Sequence, residues 1–291
     1  MAAGQDVTIY LEDPLLRSAK DGAHNFIGLM SDVLTERGYR VSYAPDHARA
    51  DHPAGKAITH MAPPPPGGLV FRRVYAYPFW AIEASAERWH WDVAKRAFDP
   101  AQVDPKEARQ FTQRWRKRLF PDVTSSRTGY FYAPLQGRIR EHRSFQQCAP
   151  VDMVARVAYQ VPDVEIRLGL HPRETYDDAD HSAVQRLVDA HPNIRLTSDP
   201  MEQTLAGCDG VITQNSSVAF FGYLLNKPAM LFAKIDFHHI ALGADTDVST
   251  LAHHAPDFDR YVYWFWQKNS INAGRDTAKH QIAQRFQDHG W

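Results

Sequence analysis

The chain has 291 residues, 44% of them hydrophobic and 23% charged, with a formal net charge of -1. It is long enough for one large domain or two moderate ones, and its charge is too evenly balanced to bind nucleic acid through net charge, so no nucleic-acid partner is expected. Its two cysteines, Cys148 and Cys208, form no CxxC pair, which argues against a disulfide framework or a structural zinc cluster.

The opening, MAAGQDVTIYLED, lacks the basic start and long apolar stretch of a signal peptide, and no apolar run reaches the roughly 18 residues that span a bilayer. A cytoplasmic protein is expected, with peripheral contact with the inner membrane allowed. Val7 to Leu11 reads as a strand that Glu12-Asp13-Pro14 ends. Asn25 to Arg37 reads as a helix, with Phe26, Leu29, Met30, Val33 and Leu34 on one face and Gly38 at its C-terminal cap. Tyr39 to Tyr43 is a second strand, so the chain opens as a parallel α/β sheet.

Asp46 to Gly68 is polar and ends in four prolines and two glycines, which predicts an exposed loop. A strand is expected from Leu69 to Tyr75, then helices near Ile82–Ala97 and Pro105–Leu119. The polar segment Pro121 to Thr128 marks the expected boundary between an acceptor-side domain, 1–128, and a second domain, 129–291. Strands at 129–134, 164–170, 194–197, 210–213 and 228–233 alternate with helices at 151–159, 181–190, 200–206 and 217–225. That alternation predicts a parallel, doubly wound sheet, whose ligands sit beyond the carboxyl ends of its strands. Further helices are expected at 258–269 and 277–288.

This rule selects two loops. His171-Pro172-Arg173-Glu174 follows the strand VEIRLGL, and Thr213-Gln214-Asn215-Ser216-Ser217 follows GVI. Serine hydroxyls and free amides at a helix start make an anion site. An imidazole beside it is a donor for phosphate or for a leaving oxygen. The alternative is that Ser217 only caps its helix and that His171-Pro172 is only a turn, since His-Pro also occurs at 52–53 and 191–192.

GYFYAPLQ at 129–136, HRSF at 142–145, VEIRLGLHPRE at 164–174 and DGVITQNSSVAFFGYLLNKPAMLF at 209–232 together resemble the bacterial capsule polysaccharide biosynthesis family. That family includes Kdo transferases. The His-Pro and Ser-Ser pairs also look like the CMP-binding motifs of bacterial GT-B sialyltransferases. The resemblance implies an α/β fold of two Rossmann-like domains of GT-B type with a cleft between them, the C-terminal helices crossing back to the first. It implies a metal-independent glycosyltransferase that moves a sugar from a nucleotide donor, CMP-Kdo-like favoured, to a capsule or other cell-surface glycan or glycolipid. By this analogy His171, Ser216 and Ser217 contact the donor phosphate and Gln136 lines the cleft, with Pro172, Gln214 and Asn215 completing the donor set. The nucleotide sugar is a co-substrate, and no cofactor or metal is implied. From the second serine onward the family usually reads Ser-Val-Gly-Phe-Glu-Ala-Leu. Here Phe221 stands where its acidic, ribose-holding residue is expected.

An acceptor hydroxyl needs a base, and Asp13, at the end of the first strand with Glu12, Asp21 and His24 nearby, is the candidate. The alternative is a plain turn. Tyr77-Pro78-Phe79-Trp80, Trp89 and Trp91 suit either sugar stacking or a core. The helix Pro105–Leu119 carries Ala108, Phe111, Trp115 and Leu119 in one stripe rimmed by Arg109, Arg114, Arg116, Lys117 and Arg118. It suits an anionic membrane surface or packing with solvated charges. His238, His239, His253 and His254 lack metal-ligand spacing, and FHHIALG at 237–243 is expected to cover the nucleotide site. Two rival functions remain: a non-catalytic nucleotide-sugar-binding assembly protein, and a sugar-nucleotide epimerase or hydrolase.

Overall fold

The computed structural model describes residues 5–52 and 56–291; the opening residues 1–4 and residues 53–55 of the expected loop lie outside the described residues. The chain divides into two compact units, Met1–Arg96 with Phe265–Trp291, and Ala97–Trp264.

The first unit begins with β1 (Asp6–Leu11), whose Val7, Ile9 and Leu11 are fully buried. The chain does not turn away at Glu12-Asp13-Pro14. It enters a short helix, α1 (Asp13–Lys20), because Pro14 falls in the first turn, where its missing N–H costs nothing. Helix α2 (Asn25–Glu36) buries Phe26, Ile27, Met30, Val33 and Leu34. Gly38, at φ 88°, takes the left-handed position after it, so Tyr39 N–H returns to Leu34 O and Gly38 N–H to Thr35 O. Strand β2 (Arg40–Pro45) lies parallel to β1 with Ile9 opposite Tyr43.

Two expectations fail here. The predicted loop contains β3 (Lys56–His60), paired with β1 through Ile9 opposite Ile58. The predicted helix near 82–97 is replaced by β5. After β4 (Leu69–Arg73), parallel to β3, β5 (Phe79–Glu83) runs antiparallel to β4 with Phe71 opposite Ile82. Every residue of β5 is buried, so it shows no alternation to read. A single 3-10 turn, Arg88–His90, and a helix of four residues, α3 (Asp92–Lys95), follow.

The second unit starts before α4 (Pro105–Leu119), which Asp104 caps by accepting Glu107 N–H. A strictly parallel sheet follows, built from β6 (Tyr130–Leu135), α5 (Pro150–Gln160), β7 (Glu165–Leu170), α6 (Asp178–Ala190), β8 (Ile194–Leu196), α7 (Met201–Gly207), β9 (Gly210–Thr213), α8 (Ser217–Leu224), β10 (Ala229–Leu231) and β11 (Leu242–Gly243). Its order is β11-β10-β9-β6-β7-β8. Helix α9 (Phe258–Val262) continues as a π-helical turn, Tyr263–Lys268. Helix α4 packs on α8 and α9, which is why 97–128 groups with this unit.

The chain then returns to the first unit. β12 (Ile271–Asn272) pairs antiparallel with β5, completing the sheet order β12-β5-β4-β3-β1-β2. Helix α10 (Ala278–Asp288) lies along α2 and brings Ile282 and Phe286 into the same core as Phe26 and Ile82. The protein is therefore an α/β fold with two parallel-rich, Rossmann-like sheets. No helix among the described residues is long and apolar enough to cross a membrane.

Candidate functional site

In the second unit, chain order defines where a ligand fits. From β6 the chain moves outward to β7 and β8, then returns to β9 on the other side of β6. The crevice beyond the carboxyl ends of β6 and β9 is thus the switch point of a doubly wound sheet. Gln136 follows β6, His171 follows β7 and Gln214 follows β9. Because β7 and β9 both flank β6, these loops lie side by side along one edge, the outer two separated by about 10 Å, two interstrand spacings.

At the β9 loop, Ser216 is the N-cap of α8, its Oγ accepting Val218 N–H at 3.3 Å while remaining 4% exposed. Its own O–H is left to donate. Ser217 is the first helical residue and half-buried, and among the described residues its hydroxyl makes no hydrogen bond. The helix start thus offers hydroxyls and backbone amides to an anion, reinforced by the helix dipole. Asn215 is half-buried between these serines and Gln214. Gln214 is buried and donates Nε2 to Cys148 O at 3.1 Å, leaving Oε1 buried without a partner.

At the β7 loop, Arg173 N–H donates to His171 Nδ1 at 3.2 Å. An accepting Nδ1 places the proton of the neutral ring on Nε2, which makes Nε2–H a donor. His171 is half-buried and Pro172 exposed. The loop's anchor is a residue the sequence did not single out: Tyr176 Oη accepts His171 N–H at 2.9 Å and donates toward Leu135 O, tying β7's end to β6's. Glu174 lies so close to Gly137 that a Cβ there would meet its carboxylate at 2.2 Å. Arg140 clamps the β6 loop to the start of α6 through Asp177 and Asp180 at 2.9 and 2.7 Å, and its guanidinium holds the Asp180 carboxyl below its ordinary range. The rest of that loop runs beside β10's end, with Gln147 N–H on Phe232 O and Lys234 N–H on Phe145 O. Apart from the local His171–Tyr176 bond, these contacts join residues 37 to 89 positions apart, so no local motif advertises them.

In the first unit, Asp13 is exposed in the first turn of α1. Beside it the structure makes a pair the sequence did not suggest: His60 at the end of β3 bonds Glu12 through Nδ1 at 2.9 Å. Burial pushes the His60 pKa below its usual value, and the Glu12 carboxylate partly opposes this. A carboxylate-held, neutral imidazole is the arrangement of a general base.

The remaining candidates are mostly structural. Phe79, Trp80 and Trp91 are core residues, while Tyr77 is 46% exposed. Phe111 and Trp115 are buried, with Phe111 edge-on to Tyr263, so the α4 stripe is packing. Arg116 donates to Leu224 O, leaving Arg109, Arg114, Lys117 and Arg118 as an exposed rim. His238, His239 and His254 bond Ile235 O, Tyr261 Oη and Ile240 O. In FHHIALG, Phe237 and Ile240 are buried, Phe237 against Phe220 and Tyr223 of α8. Phe221 packs edge-on against Phe120. Cys148 and Cys208 are free, and burial pushes the Cys208 thiol up to about 12.

No protein-family model matches the sequence, and no curated protein does. Among solved structures, the chain is similar to KpsC of Thermosulfurimonas dismutans, a beta Kdo 2,7 transferase, with a TM-score of 0.53 at 11% identity over 96% of this chain and 99% of that one. A beta Kdo 2,4 transferase structure of the same organism's KpsC matches with a TM-score of 0.48 at 11% identity, over 89% of each chain. The first likeness, with the two sheets, places the fold in the GT-B type.

Proposed function

We propose that this protein is a metal-independent glycosyltransferase that takes a sugar from a nucleotide donor and passes it to a capsule or other cell-surface glycan. The observation that carries the reading is the start of α8. Ser216 and Ser217 present hydroxyls and free amides at the switch point of a parallel sheet, with the His171 donor on the same edge, two strands away across β6. That is a phosphate site built for a group that leaves with negative charge.

In the proposed reaction the bond from the sugar's anomeric carbon to the donor phosphate breaks. Charge collects on the phosphate, where the serines and His171 Nε2–H receive it. The acceptor hydroxyl oxygen forms the new bond and yields its proton to a base. Asp13 remains a candidate base, and His60, held by Glu12, is a second. Gln136, Pro172, Gln214 and Asn215 complete the donor side. A CMP-linked acidic sugar is the favoured donor, on the resemblance of the motifs and on the Kdo transferase activity of the similar KpsC structure.

Thermal shift with CMP, UDP and GDP tests the donor, because a ligand that binds only the folded state raises its melting temperature. CMP should give the largest shift. No shift with any of the three removes the nucleotide reading. Turnover of a CMP-sugar with and without acceptor then separates transferase from hydrolase. Phe221 supports one rival: where the resemblance calls for a ribose-binding carboxylate, an aromatic ring packs on Phe120 instead. CMP binding without turnover under any acceptor would favour that rival, a nucleotide-sugar-binding assembly protein.

A further inference from the structure

At the opposite, amino-terminal edge of the first unit's sheet, three distant segments converge. β5 ends at Glu83, α3 begins at Asp92 and α10 is capped by His289. One ligand atom from each lies within 4.8 Å of the others. We propose that Glu83, Asp92 and His289 bind one divalent transition-metal ion of the Zn2+ type, which clips the returning C-terminal helix to the sheet.

Geometry and charge both support this site. Glu83 is only 4% exposed, and a backbone amide, Asp92 N–H at 3.1 Å, is what its Oε2 accepts. Arg285 pairs with Asp92 Oδ2 at 2.9 Å, and Lys95 is exposed. Among the described residues Arg285 is the one cation paired with these two carboxylates, and burial beside Asp92 pushes the Glu83 carboxyl up to about 7. A buried carboxylate with a second one beside it gains most from a further positive charge.

His289 points to the same conclusion. Its Nε2 faces Ile82 O at 3.3 Å. A donated ring N–H to a backbone carbonyl is the contact that fixes the tautomer of metal-ligating imidazoles, and it leaves the Nδ1 lone pair for a metal. His289 also lines a pocket with Pro63–Pro66, Ser85 and Trp291, which gives an ion a route in. One imidazole with two carboxylates suits Zn2+, Mn2+ or Fe2+ better than the all-oxygen preference of Mg2+. The position, away from the carboxyl edges, makes the ion structural, so this site stands or falls independently of the transferase reading.

The test uses the full chain, stripped with chelator and titrated with ZnCl2 or MgCl2 by calorimetry and thermal shift. One Zn2+ should bind per chain and raise the melting temperature, with Mg2+ far weaker. His289→Gln, a substitution at a half-buried position that should fold, should lower Zn2+ affinity at least about tenfold, the loss seen even for residues that only support a metal ligand. Glu83→Gln should do the same if it folds. His238→Gln and His253→Gln, in the other histidine group, should leave binding unchanged. Absence of stoichiometric Zn2+ binding, equal affinity in the His289 variant, loss confined to the His238 or His253 variants, or Mg2+ binding as tight as Zn2+ would each overturn the proposal.

Discussion

Ser216 and Ser217 look alike in sequence but do different work. Ser216 caps α8, so Ser216→Ala should cost about 1 kcal/mol of stability in addition to any loss of affinity. Among the described residues the Ser217 hydroxyl has no hydrogen-bond partner, so Ser217→Ala should leave stability within about 0.5 kcal/mol while weakening CMP binding by about 1–3 kcal/mol. Urea unfolding beside calorimetry separates the two, and unchanged affinity in both variants would reduce the pair to capping. His171 accepts one hydrogen bond at Nδ1 and is half-buried, so His171→Ala should lower turnover about 10²–10⁴-fold with little change in melting temperature. His60 carries a pH signature. Burial makes its folded form bind a proton more weakly than the unfolded chain, whose histidines titrate near about 6.5. Its contribution to stability is therefore full above that pH and is lost as pH falls through the folded value. Urea midpoints from pH 8 to 5 should fall less steeply for His60→Gln than for the natural chain; parallel curves would mean that His60 does not titrate differently on folding.

At the scale of elements, the second unit was the readable one. Its strands end where Gly, Pro, Asn or His-Pro interrupts short apolar runs, and its helices carry clear apolar faces, so β6 to β10 fell close to expectation. The first unit hid β3 and β5. Lys56 and His60 bracket a strand of five residues inside a polar stretch, and Phe79–Glu83 is buried on both faces, so neither shows a period of two. Helix α1 was read as a turn, although Pro14 is a start signal when it falls in a first turn. Helix α8 ends in a motif that makes its own prediction. Asn226 sits at φ 56°, with Lys227 N–H on Gly222 O and its own N–H on Tyr223 O. Asn226→Gly should be nearly neutral, while β-branched Asn226→Val should cost about 1–2 kcal/mol in urea unfolding. For α4, with Phe111 and Trp115 used in packing, only the basic rim is left for a membrane. Binding to anionic vesicles, if present, should then vanish on neutral vesicles, in high salt and in an Arg114→Gln, Arg118→Gln variant. Binding to neutral vesicles would mean that some other apolar surface inserts.

Chain connectivity explains why the two candidate loops were legible and the Glu12–His60 pair was not. The two candidate loops each follow a strand within one continuous stretch, so topology alone marks them. The Glu12–His60 pair spans 48 residues and exists only because β1 and β3 are neighbours, and β3 was the strand that the sequence concealed. The first unit is discontinuous in the same way. Ile271, Ile282, Phe286 and Trp291 come from the C-terminal segment yet belong to the core that holds Phe26, Phe71 and Trp80. Removing four large apolar side chains from such a core forfeits on the order of 6–12 kcal/mol at about 1.5–3 kcal/mol each. That matches the whole stability of a typical domain, about 5–15 kcal/mol. A chain ended after Trp264 should therefore lose the fold of its first unit, while residues 97–264 keep their own sheet and core. Limited proteolysis should then cut within 5–96 and spare a fragment near 97–264, and the full chain should resist at both. A milder variant, Phe286→Ala, should destabilise the first unit by about 3–5 kcal/mol without removing β12. If the truncated chain protects residues 5–96 as well as the full chain does, the returning helix is an addition to that core and not part of what closes it.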